Sequence, residues 1–133
     1  MWSWALKRVS GHNRQVRVWG KMMASLYKKY LMERTDDCVI ENAFGFATYR
    51  YVNNGKSVYI IDIFIIPELR KNGEAANMAD AIVKEAKEKG CTELIGSVVP
   101  SMKGSTTSMK VLLAYGMTVS SCSNDFIIFK KEI

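Results

Sequence analysis

The feature that most constrains the fold is an apolar run at residues 58–66, in which Asp62 is the only charged residue. A strand with one solvated face alternates apolar and polar residues, whereas a strand covered on both faces forms a continuous apolar run. Pro67 ends the run, which is much too short to cross a bilayer as a helix. We therefore predict a central strand whose sheet is covered on both faces.

The segments around this strand have the periodicities of a mixed α/β domain. Asn53-Asn54-Gly55 predicts a tight hairpin turn before the strand, since Asn and Gly tolerate positive φ. Apolar residues recur at helical spacing over residues 75–86, and Lys89 precedes Gly90 as is typical of a helix C-terminus. Similar patterns predict strands at 2–9, 38–41, 44–52, 94–99, 117–121 and 126–131 and helices at 14–33 and 105–115.

The predicted element order is β-α-β-β-β-α-β-α-β-β. This order belongs to the α/β (α+β) class, with helices that flank a central sheet of about seven strands. A chain of 133 residues is long enough for one core, so we predict a single domain over residues 1–133. No signal peptide or membrane-spanning run is recognisable, and we expect a cytoplasmic location.

Cysteine and histidine give no metal or disulfide pattern. Cys38, Cys91 and Cys122 are widely spaced and odd in number, and His12 stands apart from them. Each cysteine lies in or beside an apolar run, which predicts small buried thiols without chemistry.

The excess positive charge is concentrated at the N-terminus. The net charge is +6, and residues 1–36 hold eight Lys and Arg against two acids, together with Trp2, Trp4 and Trp19. A basic, aromatic surface of this kind suits an acidic protein partner, a nucleic acid or an anionic lipid. The alternative is a helix whose lysines are simply solvated.

The turn after the central strand has the residues of a diphosphate-binding site. Arg70-x-x-Gly73-x-Ala75 opens the predicted helix. Glycine lets the backbone approach an anion, and the N–H groups of the first helical turn point towards it. Arg70 adds a permanent positive charge.

The segment Ile65-Ile66-Pro67-Glu68-Leu69-Arg70-Lys71-Asn72-Gly73-Glu74-Ala75 resembles motif A of the GNAT superfamily of N-acetyltransferases, a strand ending in V-x-P followed by (Q/R)-x-x-G-x-(G/A) and a helix. The resemblance implies a GNAT-like fold with a mixed, mostly antiparallel central sheet. It also implies acetyl-CoA as co-substrate, held between this strand and the next. It implies pantetheine contacts from Phe64, Ile65 and Ile66. It also implies that the backbone of Arg70, Lys71, Asn72, Gly73, Glu74 and Ala75 holds the pyrophosphate.

A second family segment, N-x-x-A-x-x-x-Y-x-x-x-G-F, is altered in this chain. Counting back from Gly116-Met117, Ser105, Ser108 and Leu112 stand at the Asn, Ala and Tyr positions. The family's tyrosine often protonates the departing thiolate, and leucine has no proton to give. Tyr115 either replaces it or is a packing aromatic.

A general base is also hard to assign. Asp62 is the only carboxylate on the predicted fourth strand, and it is either a base whose pKa is raised by burial or an aspartate bound to backbone donors. On the fifth strand, Ser97 stands about where some family members carry Glu.

Three functions fit these features. The first is an acyl-CoA-dependent N-acyltransferase that transfers acetyl directly to an amine of unknown identity. The second is a catalytically impaired CoA-binding or structural protein that docks through the basic N-terminal region; small, degenerate GNAT-like proteins of bacteriophages look similar. The third, a nucleic-acid-binding module, has charge and aromatic residues in its favour but no recognised motif.

Overall fold

The computed structural model describes residues 26–133. The predicted strand at 2–9 and the larger part of the predicted helix at 14–33 lie outside these residues. Residues 26–34 are helical, in agreement with the end of that helix, and are called α1. The elements that follow are β1 (Cys38–Asn42), β2 (Gly45–Val52), β3 (Ser57–Ile65), a short 3-10 helix (Pro67–Leu69), α2 (Glu74–Glu88), β4 (Glu93–Val98), α3 (Ser105–Ala114), β5 (Thr118–Ser123) and β6 (Phe126–Glu132).

Within residues 26–133 the strands form one six-stranded sheet in the order β1-β2-β3-β4-β6-β5. Every neighbouring pair is antiparallel except β3 and β4, which are parallel. The mixed, mostly antiparallel sheet that the sequence predicts is therefore confirmed. Six of its seven predicted strands are present, and the seventh lies outside the described residues.

The main core lies between the sheet and α2. Tyr49, Val58 and Leu94 point from three adjacent strands towards Ile82, and both Val58 and Ile82 are completely buried. Side chains of this size each contribute about 1.5–3 kcal/mol when they are removed from water. This packing fixes the position of β3 and of the turn that leads into α2.

The central strand β3 contains an irregularity that determines where Asp62 points. Tyr49 pairs with Ile60, but its neighbour Thr48 pairs with Asp62, so one extra residue, Ile61, stands between them. An extra residue in one strand shifts the alternation of its side chains. Ile60 and Ile63 both pack against the core on the α2 side, and Asp62 lies on the opposite face of the sheet with Thr48.

The predicted hairpin is confirmed. Asn53, Asn54 and Gly55 have φ values of 54°, 57° and 80°, which explains why Asn and Gly occupy this turn. Cys91 is buried, as expected, and its thiol donates to the carbonyl of Gly55 at 3.2 Å.

The expectation of a buried thiol is wrong for Cys122. It lies on β5, the last strand in the sheet order, and all six residues of that strand are exposed. The apolar residues near Cys122 in the sequence belong to β6, which covers the core in place of β5.

Candidate functional site

The parallel strands β3 and β4 separate soon after they meet. They are paired only from Ser57 to Tyr59 and from Glu93 to Ile95. Beyond this point β3 continues to Ile65 alongside β2, and β4 continues to Val98 alongside β6. Six further residues of β3 extend roughly 20 Å. The two strands thus form the walls of a cleft. β3 faces the cleft with the backbone edge opposite to β2, and β4 faces it with the edge opposite to β6.

The wide end of this cleft leads into the turn before α2. Gly73 precedes the helix with φ of 78°, and Lys71 has φ of 73° although it is not glycine. The N–H groups in the first turn of a helix have no acceptor within the helix, and the helix dipole makes this end positive. A Cβ at Gly73 would meet nothing within 4 Å, so the space in front of the helix is open. This geometry suits an anion such as a diphosphate.

Arg70 fixes the turn to the end of the strand. Its Nε donates to the carbonyl oxygen of Ile65 at 2.8 Å, and its guanidinium lies 5.5 Å from the centroid of the Phe64 ring. Phe64 in turn stacks on Phe46 at 5.6 Å, and Tyr27 of α1 meets Phe46 edge to face at 5.5 Å. The stack connects α1, β2 and β3 beneath the turn, which holds the turn in one position.

The other predicted cofactor contacts lie along the same path. The side chains of Phe64 and Ile65 are 4% and 2% exposed, so a ligand in the cleft would meet their backbone atoms. The N–H of Ile66 donates to the carbonyl of Phe44 at 2.9 Å. The structure therefore places the predicted contacts next to one another, from the end of β3 to the start of α2; their roles remain predictions. Residues 71–73 are exposed and residues 64–65 are buried.

This arrangement coincides with the segment that matches a known family. The model of the acetyltransferase (GNAT) family matches residues 13–106, which is more than half of the chain. The chain belongs to the GNAT family. The resemblance seen in motif A is thereby confirmed, whereas the likeness to bacteriophage proteins stays a prediction.

Solved GNAT structures have the same fold. A GNAT acetyltransferase from Desulfovibrio desulfuricans superposes with a TM-score of 0.67 at 14% identity, covering 86% of this chain and 81% of that one. The PaiA N-acetyltransferase from Thermoplasma acidophilum, in complex with coenzyme A, gives 0.65 at 14% identity, with 92% and 80% covered. A GNAT acetyltransferase from Elizabethkingia anophelis with acetyl-CoA bound gives 0.61 at 15% identity, with 82% of each chain covered. No curated protein sequence matches the chain significantly.

The structure places the two predicted catalytic residues on opposite faces of the GNAT sheet. Asp62 lies on the face away from α2, and burial raises the pKa of its carboxyl group. Tyr115 follows α3, and its hydroxyl donates to Asp80 of α2 at 2.6 Å. Burial, followed by the hydrogen bond to Asp80, raises the pKa of Tyr115 above its ordinary value.

Leu112, at the position of the family's tyrosine, packs over β4. A Cβ built on Gly96 of that strand would lie 3.2 Å from Cδ2 of Leu112. The side chain of Lys131 is within reach of Tyr115, since its Nζ donates to the Tyr115 carbonyl at 3.0 Å and lies 4.6 Å from the ring centroid. Tyr115 is thus a packed residue that joins α2, α3 and β6.

One pair of residues was not predicted from the sequence as a unit. The hydroxyls of Tyr59 and Ser97 are 2.6 Å apart and join β3 to β4 where the cleft begins. The pair lies in a groove with a volume of about 210 Å³ on the face away from α2. A sequence signal existed, since both residues carry a hydroxyl within apolar strands, but only the register of β3 and β4 brings them together. The groove is lined by Val52, Tyr59, Ile95, Ser97, Phe126 and Ile128.

Proposed function

We propose that this chain is an acyl-CoA-dependent N-acyltransferase that transfers acetyl from acetyl-CoA directly to an amine. The observation that carries the proposal is the cleft between β3 and β4, which leads into the open N-terminus of α2. Membership of the GNAT acetyltransferase family supports it, as do the neighbours described with coenzyme A or acetyl-CoA bound.

The residues present fit the cofactor. The backbone N–H groups between Arg70 and Ala75 would hold the pyrophosphate, with Gly73 leaving room for it. The edge of β3 that faces the cleft would pair with the amides of the pantetheine arm as a further strand does. When bound, acetyl-CoA supplies an acyl group that is activated as a thioester.

The chain's own residues then have two tasks. Backbone N–H groups on the cleft edge of β3 are fixed donors for the negative charge that develops on the carbonyl oxygen. Asp62, whose raised pKa makes it a better base, would accept the proton that the attacking amine loses. Much of the rate comes from holding amine and thioester together, which needs no additional group.

Two measurements test the proposal with the wild-type chain. Acetyl-CoA should raise the melting temperature, since a ligand that binds only the folded state stabilises it. Free thiol should then be released from acetyl-CoA in the presence of a reactive amine. Inorganic phosphate at equal ionic strength is the control for nonspecific anion binding. A melting temperature that does not change at millimolar acetyl-CoA would contradict the proposal.

A second function has a specific observation in its favour. Leu112 has no acidic proton to transfer, and the Tyr115 hydroxyl is bound to Asp80. A CoA-binding protein without turnover, which docks through its basic N-terminal region, accounts for both facts. It predicts a full thermal shift with acetyl-CoA and no thiol release with any amine. A nucleic-acid role stays a prediction, because its residues lie mainly outside the described part of the chain.

Replacing Asp62 with Asn tests the proposed base. General bases contribute about 100- to 10,000-fold, so we expect thiol release to fall by roughly 100-fold while the thermal shift with acetyl-CoA is unchanged. In the wild type, kcat/KM should rise as pH passes through the raised pKa of Asp62, and the variant should lose this rise. Tyr115→Phe, which removes the hydroxyl bound to Asp80, is expected to keep its activity. Full activity in Asp62→Asn would show that Asp62 is not the base.

A further inference from the structure

The groove that contains Tyr59 and Ser97 has an apolar, uncharged lining. Four of the six lining side chains are hydrocarbon, and the other two, Tyr59 and Ser97, carry uncharged hydroxyls. None of the described residues that line it carries a charge. The groove crosses four neighbouring strands, from Val52 on β2 to Phe126 on β6, on the face away from α2.

Two basic residues that lie opposite lining residues in the sheet register are each paired with an acid. Arg50, opposite Tyr59 in the sheet register, binds Asp37 at 2.6 Å. Lys130, opposite Ile95, lies 3.7 Å from Glu93. Among the described residues, the lining of the groove therefore carries no negative charge that would attract a polycation.

The groove also lies at the start of the cleft. Tyr59 and Ile95 form the last parallel pair before β3 and β4 separate, and both line the groove. If the pyrophosphate of the cofactor lies at α2 and its pantetheine arm runs along β3 towards the N-terminal end of that strand, the thioester lies close to this pair. A molecule in the groove is thus close to the place where the acyl group would arrive.

We infer that this groove holds the body of the acceptor, and that the acceptor is a primary amine on an uncharged aromatic or branched aliphatic group. The inference rests on the proposed function. A volume of about 210 Å³ is below the range of roughly 300–1,000 Å³ that holds drug-sized ligands, so the groove suits one ring or one branched chain. The hydroxyl oxygens of Tyr59 and Ser97 would accept from the N–H groups of the amine.

An apolar groove also prepares such an amine for attack. Desolvation disfavours an ammonium ion and so lowers the pKa of the bound amine, which increases the share of the neutral nucleophile. In the reaction the nitrogen forms a bond to the carbonyl carbon and the bond from that carbon to sulfur breaks. One proton leaves the nitrogen and one proton arrives on the sulfur, so the products are an amide and free CoA thiol.

Two amines test this inference on the full-length chain saturated with acetyl-CoA or CoA. One has an apolar body and the other is a polycation. We expect 2-phenylethylamine to bind the CoA-loaded protein in calorimetry and to release thiol from acetyl-CoA. Spermidine, which carries several charges and no apolar body, should have a kcat/KM at least roughly tenfold lower. Tighter binding of spermidine than of 2-phenylethylamine would overturn the inference.

A carboxylate introduced inside the groove can be compared with one introduced outside it. Phe126 is 39% exposed, so Phe126→Glu should fold while introducing a carboxylate into the lining. We expect binding of 2-phenylethylamine to weaken by roughly tenfold, about 1.4 kcal/mol, with an unchanged thermal shift by acetyl-CoA. Val119→Glu, on exposed β5 and outside the groove, is the control and should bind the amine normally. Phe126→Leu should retain most of the binding.

The two hypotheses fail in different ways. If acetyl-CoA does not shift the melting temperature of the wild type, the proposed function fails. If the shift is present but 2-phenylethylamine does not bind, or binds Phe126→Glu as well as the wild type, the groove inference fails alone. Binding that Phe126→Glu abolishes and Val119→Glu retains supports the groove, even where thiol release is slow.

Discussion

Gly73→Glu is expected to weaken acetyl-CoA binding by roughly 100-fold or more. The substitution places a carboxylate where the structure leaves open space in front of α2. Two unit charges about 4 Å apart near a protein surface interact by roughly 4 kcal/mol, and a diphosphate carries more than one charge. The variant should therefore lose the rise in melting temperature that acetyl-CoA gives the wild type. Calorimetric titration with acetyl-CoA measures the loss directly.

A second glycine separates the charge effect from backbone strain. Gly73 and Gly55 have nearly equal positive φ, 78° and 80°, and neither has an atom within 4 Å of its would-be Cβ. A side chain in this conformation costs about 1–2 kcal/mol at either position. Gly55→Glu, in the hairpin, should lose similar stability and keep its acetyl-CoA affinity. Equal loss of affinity in both variants would mean that the turn before α2 is not the anion site.

The turn could be predicted because its determinants are local. A buried strand, a proline, an arginine and a glycine lie within a few residues of one another, and a helix follows at once. Positive φ at Gly73 and the open helix N-terminus follow from this short segment alone. The position of Arg70 is different, because its bond to the Ile65 carbonyl depends on how the 3-10 helix turns the chain.

The cleft could not be predicted from the residues that form it. β3 and β4 are separated by the whole of α2, and nothing in either strand signals that their pairing ends at Tyr59 and Ile95. The extra residue at Ile61 is equally hidden, because it follows another isoleucine, Ile60, and the pair does not show the change in alternation. The Tyr59–Ser97 contact depends on the register of β3 and β4, which explains why Ser97 was singled out from the sequence without its partner.

Gly45→Ala is expected to destabilise the fold by about 3 kcal/mol or more. A Cβ at Gly45 would lie 1.9 Å from the carbonyl oxygen of Phe64, a backbone atom that cannot move without shifting β3. Overpacking costs about 1–3 kcal/mol where side chains can adjust, and here the strand pairing between Gly45 and Ile65 must also give way. Urea denaturation monitored by circular dichroism should show the lower midpoint.

Gly96→Ala is the matched control for this substitution. Its Cβ would meet the end of the Leu112 side chain at 3.2 Å, and a flexible side chain can move aside, so a loss of about 1 kcal/mol or less is expected. Gly45 also pairs with the residue whose carbonyl binds Arg70, so its replacement should disturb the turn and reduce acetyl-CoA binding as well. If Gly45→Ala were as stable as the wild type, β2 and β3 would not be closely paired at the end that carries the site.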